Sequence, residues 1–218
     1  MAVILPAYNE EKTIGPTIDD VKHSMPSAHV VVVDNNCADR TREIALDMGA
    51  IVLKCTKQGK GHAVQSALQR SATNYYIMMD ADYTYPARHI PDMVRLLRHN
   101  ADVVVGYRRW QARKATSAVN RVGNWGLSLM ARMLYGYPVH DVCSGMWGFR
   151  RSVAEKLKLE SAGFTLEAEL LVKCLRMGAR IEQMPIEYRA RFYDSKSKLR
   201  VSTGLGIGKY LLTHKNKH

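Results

Sequence analysis

Two carboxylates, Asp80 and Asp82, stand one residue apart in "IMMDADYTYP" (77–86), directly after the apolar run Ile77-Met78-Met79. Like charges this close repel, so the pair calls for a positive partner. Oxygen-only ligation with open positions suits Mg2+ or Mn2+, which keep waters and bind substrate phosphates. A bare D-x-D is equally at home in a solvated turn, so the pair takes its meaning from its surroundings. Asn9-Glu10 follows an earlier apolar run, and Asp34 ends another. "KQGKGHAV" (57–64) places Lys57 and Lys60 in a glycine-rich turn, where backbone can come close to a ligand and ammonium groups answer negative charge.

The elements that must position these residues follow from periodicity. Apolar, β-branched runs at 2–6, 29–34, 50–55, 74–80 and 101–107 predict five strands. Segments 10–25, 38–49, 61–72 and 87–100 alternate with them and predict helices; Ile14, Ile18 and Val21 mark one helical face. Apolar strands joined by helical crossovers predict an α/β fold with a mostly parallel sheet covered on both faces. Such sheets bind ligands at the carboxyl ends of their strands. Asn9-Glu10, Asp34, Asp80 and Asp82 are therefore expected along one rim.

The net charge of +12 is unevenly distributed. Residues 1–106 carry 11 basic and 12 acidic side chains, and residues 107–218 carry 21 and 8. A basic second half points to an anionic partner, either phosphate, anionic lipid or nucleic acid. No RRM, KH or helix-turn-helix signature supports nucleic acid, and no G-x-G-x-x-G after the first strand supports a dinucleotide oxidoreductase. Cys37, Cys55, Cys143 and Cys174 are widely spaced and imply reduced thiols rather than a disulfide framework or a metal site. No secretory leader and no spanning helix is expected. Segments 120–138 and 202–218 are apolar with basic flanks, a composition suited either to packing on the domain or to an anionic membrane surface.

Six motifs in order carry a family resemblance: "LPAYNEEKTI" (5–14), "VVVDNNCADRT" (31–41), "KQGKGHAV", "MMDADYTYP" (78–86), "DVCSGMWGFRR" (141–151) and "FTLEAELLVKCLRMGARIEQMPIEYRAR" (164–191), with "SKL" (197–199) after them. The chain resembles the family-2 glycosyltransferases of the GT-A fold over nearly its whole length, and within them the dolichyl/polyprenyl-phosphate sugar synthases.

The resemblance implies the following roles. Pro6, Tyr8, Glu10 and Asp34 would hold the nucleoside of a nucleotide sugar. Lys57, Lys60 and Gly61 match a K-x-G-K-G loop, and Ala81 lies between the acids of the donor site. Asp80 and Asp82 match the metal pair, with Thr84 where some relatives place a further Gln ligand. Arg108 and Arg121 match arginines that bind the acceptor phosphate, with Ser144 in a turn beside the acceptor; Arg191 and Lys198 match later basic residues near the diphosphate or the acceptor, and Arg189 is an alternative to Arg191. Asp141 would act as a base or orient an arginine. Glu167 and Glu169 would either favour a helix dipole or join the site.

The implied reaction is inverting, metal-dependent hexose transfer from a nucleotide sugar to dolichyl or polyprenyl phosphate, with GDP-mannose favoured. The alternatives are UDP-glucose, UDP-N-acetylglucosamine or a glycan acceptor. The implied layout is one domain, 1–200, made of a donor half (1–106) and an acceptor half (107–200). A basic amphipathic helix (201–218) would follow it, the whole sitting on the cytoplasmic face of a membrane, directly or through a membrane partner subunit.

Overall fold

The computed structural model describes residues 1–108, 118–161, 163, 165–190 and 201–215. Strands β1 (Ala2–Ala7), β2 (His29–Asp34), β3 (Ile51–Lys54), β4 (Tyr75–Met79), β5 (Val103–Arg108), β6 (Met146–Arg150) and β7 (Ile181–Ile186) form one seven-stranded sheet. The helices are α1 (Ile14–Ser24), α2 (Thr41–Asp47), α3 (Lys60–Arg70), α4 (Ile90–His99), α5 (Ala118–Tyr135), α6 (Arg151–Ala154), α7 (Leu166–Arg176) and α8 (Val201–Thr213).

The strand order is β3-β2-β1-β4-β6-β5-β7. The five expected strands are present, each within two residues of its expected ends. β1, β2, β3 and β4 pair in parallel. Two strands have no counterpart among the five expected. β6 runs antiparallel between β4 and β5 and keeps those two apart. β7 is an outer strand parallel to β5. Pro185 is tolerated in β7 because an outer strand leaves one edge unpaired. β3, at the other edge, is partly exposed along its length rather than covered.

Two apolar clusters lie on the two faces. Leu5, Ile14, Ile18, Ile77, Met79, Ile90 and Met93 belong to the face covered by α1 and α4. Ile4, Val33, Val64, Met78, Trp147, Phe149, Leu170 and Ile207 belong to the face covered by α3, α7 and α8. Successive side chains of β1 and β4 divide between these clusters, as a pleat requires. Among the described residues, no helix is long and apolar enough to cross a membrane.

The antiparallel β6 has a consequence for the site. Its first residue, Met146, pairs with Met79, the last residue of β4. The segment just before β6 therefore arrives at the same rim as the segment just after β4.

Candidate active site at the carboxyl rim

The post-strand turns of β1 and β2 interlock. Asn9 and Asn36 adopt φ of 54° and 63°, a left-handed conformation that Asn tolerates better than most residues. The Ala38 amide donates to Asn9 Oδ1 at 2.8 Å, and the Glu11 amide donates to Asp39 Oδ2 at 3.1 Å. Of the expected nucleoside residues, Tyr8 is 44% exposed, Asp34 is buried and accepts from the Cys37 amide at 2.9 Å, and Glu10 accepts from the Thr13 hydroxyl at 3.1 Å. Pro6 is part of β1, partly exposed.

Asn35, to which the sequence motifs assign no role, fixes the lysine loop. Its amide group donates to the carbonyls of Cys55 (3.1 Å) and Lys57 (2.8 Å), and its Oδ1 accepts from the Gly59 amide (2.7 Å). Gly59 sits at φ 132°, which suits glycine alone. The Lys57 side chain is exposed. Lys60, at the start of α3, points into the rim instead. Its Nζ lies 2.5 Å from Asp80 Oδ1 and 2.6 Å from Glu167 Oε1. Burial alone would lower the Lys60 ammonium, but Asp80 and Glu167 outweigh it and hold the group charged. Gly61 packs so closely that a Cβ there would lie 2.0 Å from the Ser161 carbonyl oxygen.

The acidic turn is shaped from within. Asp82 Oδ1 accepts from the Thr84 hydroxyl at 2.5 Å and from its amide at 3.2 Å, and Tyr83 between them has φ 62°. Thr84 is fully buried, and its hydroxyl orients Asp82. Ala81 packs into the core, and its carbonyl accepts from the Thr17 hydroxyl at 3.2 Å.

On the other side of the rim, Arg108 and Asp141 form a bidentate pair, Nε to Oδ2 at 2.7 Å and Nη2 to Oδ1 at 2.8 Å. Asp141 also accepts from Asn124 Nδ2 (2.9 Å) and from the Cys143 amide (3.1 Å). Burial would raise its carboxyl, but the Arg108 guanidinium and these hydrogen bonds hold it below the usual carboxylate range. Both Asp141 oxygens are engaged, and the carboxylate fixes the Arg108 guanidinium in place. Burial pushes the neighbouring Cys143 thiol up to about 12, so it is not a nucleophile at neutral pH.

The loop 141–145 joins the two halves of the site. Arg108 Nη2 donates to the Cys143 carbonyl at 3.4 Å. Two residues on, Gly145 backs the Asp80 carboxylate, where a Cβ would lie 2.2 Å from Asp80 Oδ2. The buried Tyr85 hydroxyl accepts from the Gly145 amide at 2.7 Å, and burial raises its pKa well above the ordinary phenol value. α5 holds the loop from outside: Asn124 reaches Asp141, and Ser128 Oγ accepts from the Val142 amide at 3.1 Å. Arg121 lies one helical turn before Asn124, partly exposed.

Several expected acceptor residues have other partners. The Ser144 side chain is fully buried and donates to the Gly106 carbonyl, bracing the sheet. Arg189 donates to Asp20 Oδ2 at 2.9 Å and lies 4.1 Å from the Tyr83 ring centroid. Arg191 and Lys198 lie outside the described residues. Glu169 is buried and accepts from the amides of Glu160 and Ser161, both at 2.9 Å, so it caps a loop, whereas Glu167 contacts Lys60.

Asp80 and Asp82 fit a divalent ion by donor chemistry: both offer carboxylate oxygens, and Asp80 already holds a cation in contact. Among the described residues, no group of three or more His, Cys, Asp or Glu side chains is placed to hold a metal. The remaining positions would thus fall to water and to phosphate oxygens, as hard cations accept.

The model of "Glycosyl transferase family 2" matches residues 2–158. A "Dolichyl-phosphate hexose transferase" of Haloferax volcanii is 34% identical over 213 residues, 97% of this chain and 92% of that protein. "Glycosyltransferase AglJ" of the same organism is 34% identical over 201 residues, 91% of this chain and 66% of that longer protein. Glucosyl-3-phosphoglycerate synthase from Mycobacterium tuberculosis, solved in complex with Mn2+ and UDP-glucose, superposes with a TM-score of 0.77 at 24% identity, covering 98% of this chain and 78% of its own. At that identity the shared property is the GT-A fold.

Proposed function

The chain belongs to glycosyl transferase family 2, and from that premise we propose that it transfers a hexose from a nucleotide sugar to a dolichyl or polyprenyl phosphate. One observation carries the reading. The five-residue loop 141–145 touches the Arg108 guanidinium at Cys143 and the Asp80 carboxylate at Gly145. The acidic turn and the Arg108–Asp141 pair are thus tied to one short loop at the same rim, which is where this reading needs the cation site and the phosphate-binding arginine.

In this reading Tyr8, Glu10 and Asp34 hold the nucleoside, and Lys60 at the start of α3 meets the diphosphate, where helix amides add to its charge. Asp80 and Asp82 would hold Mg2+ or Mn2+, which supplies charge stabilisation for the departing diphosphate. The acceptor needs little deprotonation, because a phosphomonoester with a second pKa near ~6 is largely dianionic at pH 7. Arg108, locked by Asp141, and Arg121 orient it for in-line attack at the anomeric carbon, which inverts the configuration.

The lipid part of the acceptor has a matching surface. Val119, Val122, Trp125, Leu129 and Met133 are exposed along one face of α5, and Leu205 and Leu212 are exposed on the adjoining α8. With the basic residues of the second half, such a face suits an anionic membrane surface.

The test is a donor panel of GDP-mannose, UDP-glucose and UDP-N-acetylglucosamine, each with Mn2+ or Mg2+ and phytanyl phosphate. The expected product is one glycosyl phosphoprenol of inverted anomeric configuration. Donor binding without lipid product in every combination overturns the lipid-phosphate acceptor, and a retained anomer overturns the mechanism. GDP-mannose remains the favoured donor from the resemblance, with UDP-glucose as the second arm because the Mycobacterium structure holds it.

A further inference from the structure

Lys60 occupies an unusual place. Its ammonium sits in contact with one oxygen of Asp80, 2.5 Å away, and Glu167 holds it there from α7 at 2.6 Å. The other Asp80 oxygen is backed by Gly145, where not even a methyl group would fit. Asp80 therefore has little freedom to turn towards a second cation while Lys60 stays. Glu167 is 107 residues from Lys60 in sequence and lies on a different helix, so this is a tertiary arrangement.

We propose that Lys60 is a displaceable internal cation that competes with the divalent ion for Asp80, and that Glu167 is the positioning residue that holds Lys60 once it has been displaced. The physical basis is charge balance. Without a ligand, Asp80 and Glu167 are two acids at a partly buried rim, and one ammonium satisfies both. When a divalent ion takes Asp80, repulsion moves the ammonium towards Glu167. There it meets the nucleotide diphosphate, the strongest anion of the reaction. Metal entry and diphosphate binding are then coupled through one side chain, and the ion binds weakly until the nucleotide arrives. The inference deepens the proposed function and rests on Asp80 being a metal ligand.

The test is Mn2+ binding without nucleotide, followed by the electron paramagnetic resonance signal of free Mn2+, for the wild type, Lys60→Met, Lys60→Met with Glu167→Gln, and Asp80→Asn. Couplings between two ligands commonly amount to roughly 5–150-fold. Lys60→Met is expected to bind Mn2+ at least about fivefold tighter, and so is the double variant. The double variant removes one charge of each sign, so a merely long-range effect of the Lys60 charge would cancel in it. It also carries the comparison if the single variant does not fold. In the wild type, the Lys60 ammonium NMR signal is expected to move with the midpoint of an Mg2+ titration.

If Asp80→Asn loses Mn2+ while the double variant binds as the wild type does or more weakly, the competition is wrong and the metal assignment stands. A Lys60 signal unmoved by saturating Mg2+ likewise overturns the competition. If Asp80→Asn leaves Mn2+ binding unchanged, the metal assignment itself fails, and the competition with it.

Discussion

Arg108 and Asp141, on β5 and in the loop before β6, face each other as a two-point pair with contacts of 2.7 and 2.8 Å. The pair is largely buried, so removing one partner strands the other's charge, a loss of roughly 3–5 kcal/mol. Asp141→Ala is therefore expected to lower stability at pH 7 by about that amount, measured by urea denaturation.

The same pair sets an acid limit. The folded pKa of Asp141 is depressed below its unfolded value of about 3.9, so its contribution is complete above that pH and lost as pH falls through the folded value. Asp141→Asn should flatten the wild type's stability loss below about pH 4 and leave the slope between pH 5 and 7 unchanged. An unaltered acid limb would show that Asp141 is not the group concerned.

Gly145→Ala puts a methyl group 2.2 Å from Asp80 Oδ2. Either Asp80 or the loop must shift, and Mn2+-dependent turnover should fall at least about 100-fold, the scale of a misplacement near 1 Å. Calorimetric Mn2+ titration should show the loss directly. A variant with wild-type Mn2+ affinity and rate would mean that Asp80 has room to spare.

Asp82, a proposed metal ligand, is also structural. It accepts two hydrogen bonds from Thr84 across a strained Tyr83. From its place on the rim alone, Asp82→Ala would be expected to spare folding, because a rim acid is not core. Its burial corrects that: the unsatisfied Thr84 groups should lower stability by about 1–3 kcal/mol besides abolishing metal-dependent turnover. Thr84→Val should reduce activity less than Asp82→Ala. Thermal melts paired with rate measurements separate the two effects.

Arg121→Ala should raise the apparent KM for phytanyl phosphate or cut kcat at least tenfold, while nucleotide affinity by calorimetry stays near the wild-type value. A selective loss of nucleotide affinity would move Arg121 to the donor side.

The α5 stripe makes a separate prediction. Vesicles rich in phosphatidylglycerol should co-sediment the protein at low salt and release part of it at high salt. Trp125→Ser with Met133→Ser should weaken binding, because both side chains are more than 60% exposed and core packing is not at stake. No sedimentation under either salt condition would remove the surface assignment.

Much of this molecule is legible in one dimension. Five strands and their helical crossovers follow from apolar runs and turn residues, because a strand buried on both faces must be apolar throughout. The common rim of Glu10, Asp34, Asp80 and Asp82 follows from parallel strand direction alone. β6 and β7 are not legible. "MWGFR" is short and carries a glycine, and "IEQMPI" is interrupted by polar residues and a proline, so neither shows a clear period.

Chain order and residue type thus determined which strands exist and which acids reach the rim. Only the tertiary structure decided what those acids touch. It turned β6 antiparallel so that Gly145 lies against Asp80, brought Glu167 to Lys60, and closed Arg108 on Asp141. It also gave Ser144 and Arg189 protein partners, the Gly106 carbonyl and the Asp20 carboxylate. Local periodicity reports how each segment meets the core. Contacts between residues 33 to 107 positions apart depend on strand order, which no short segment encodes.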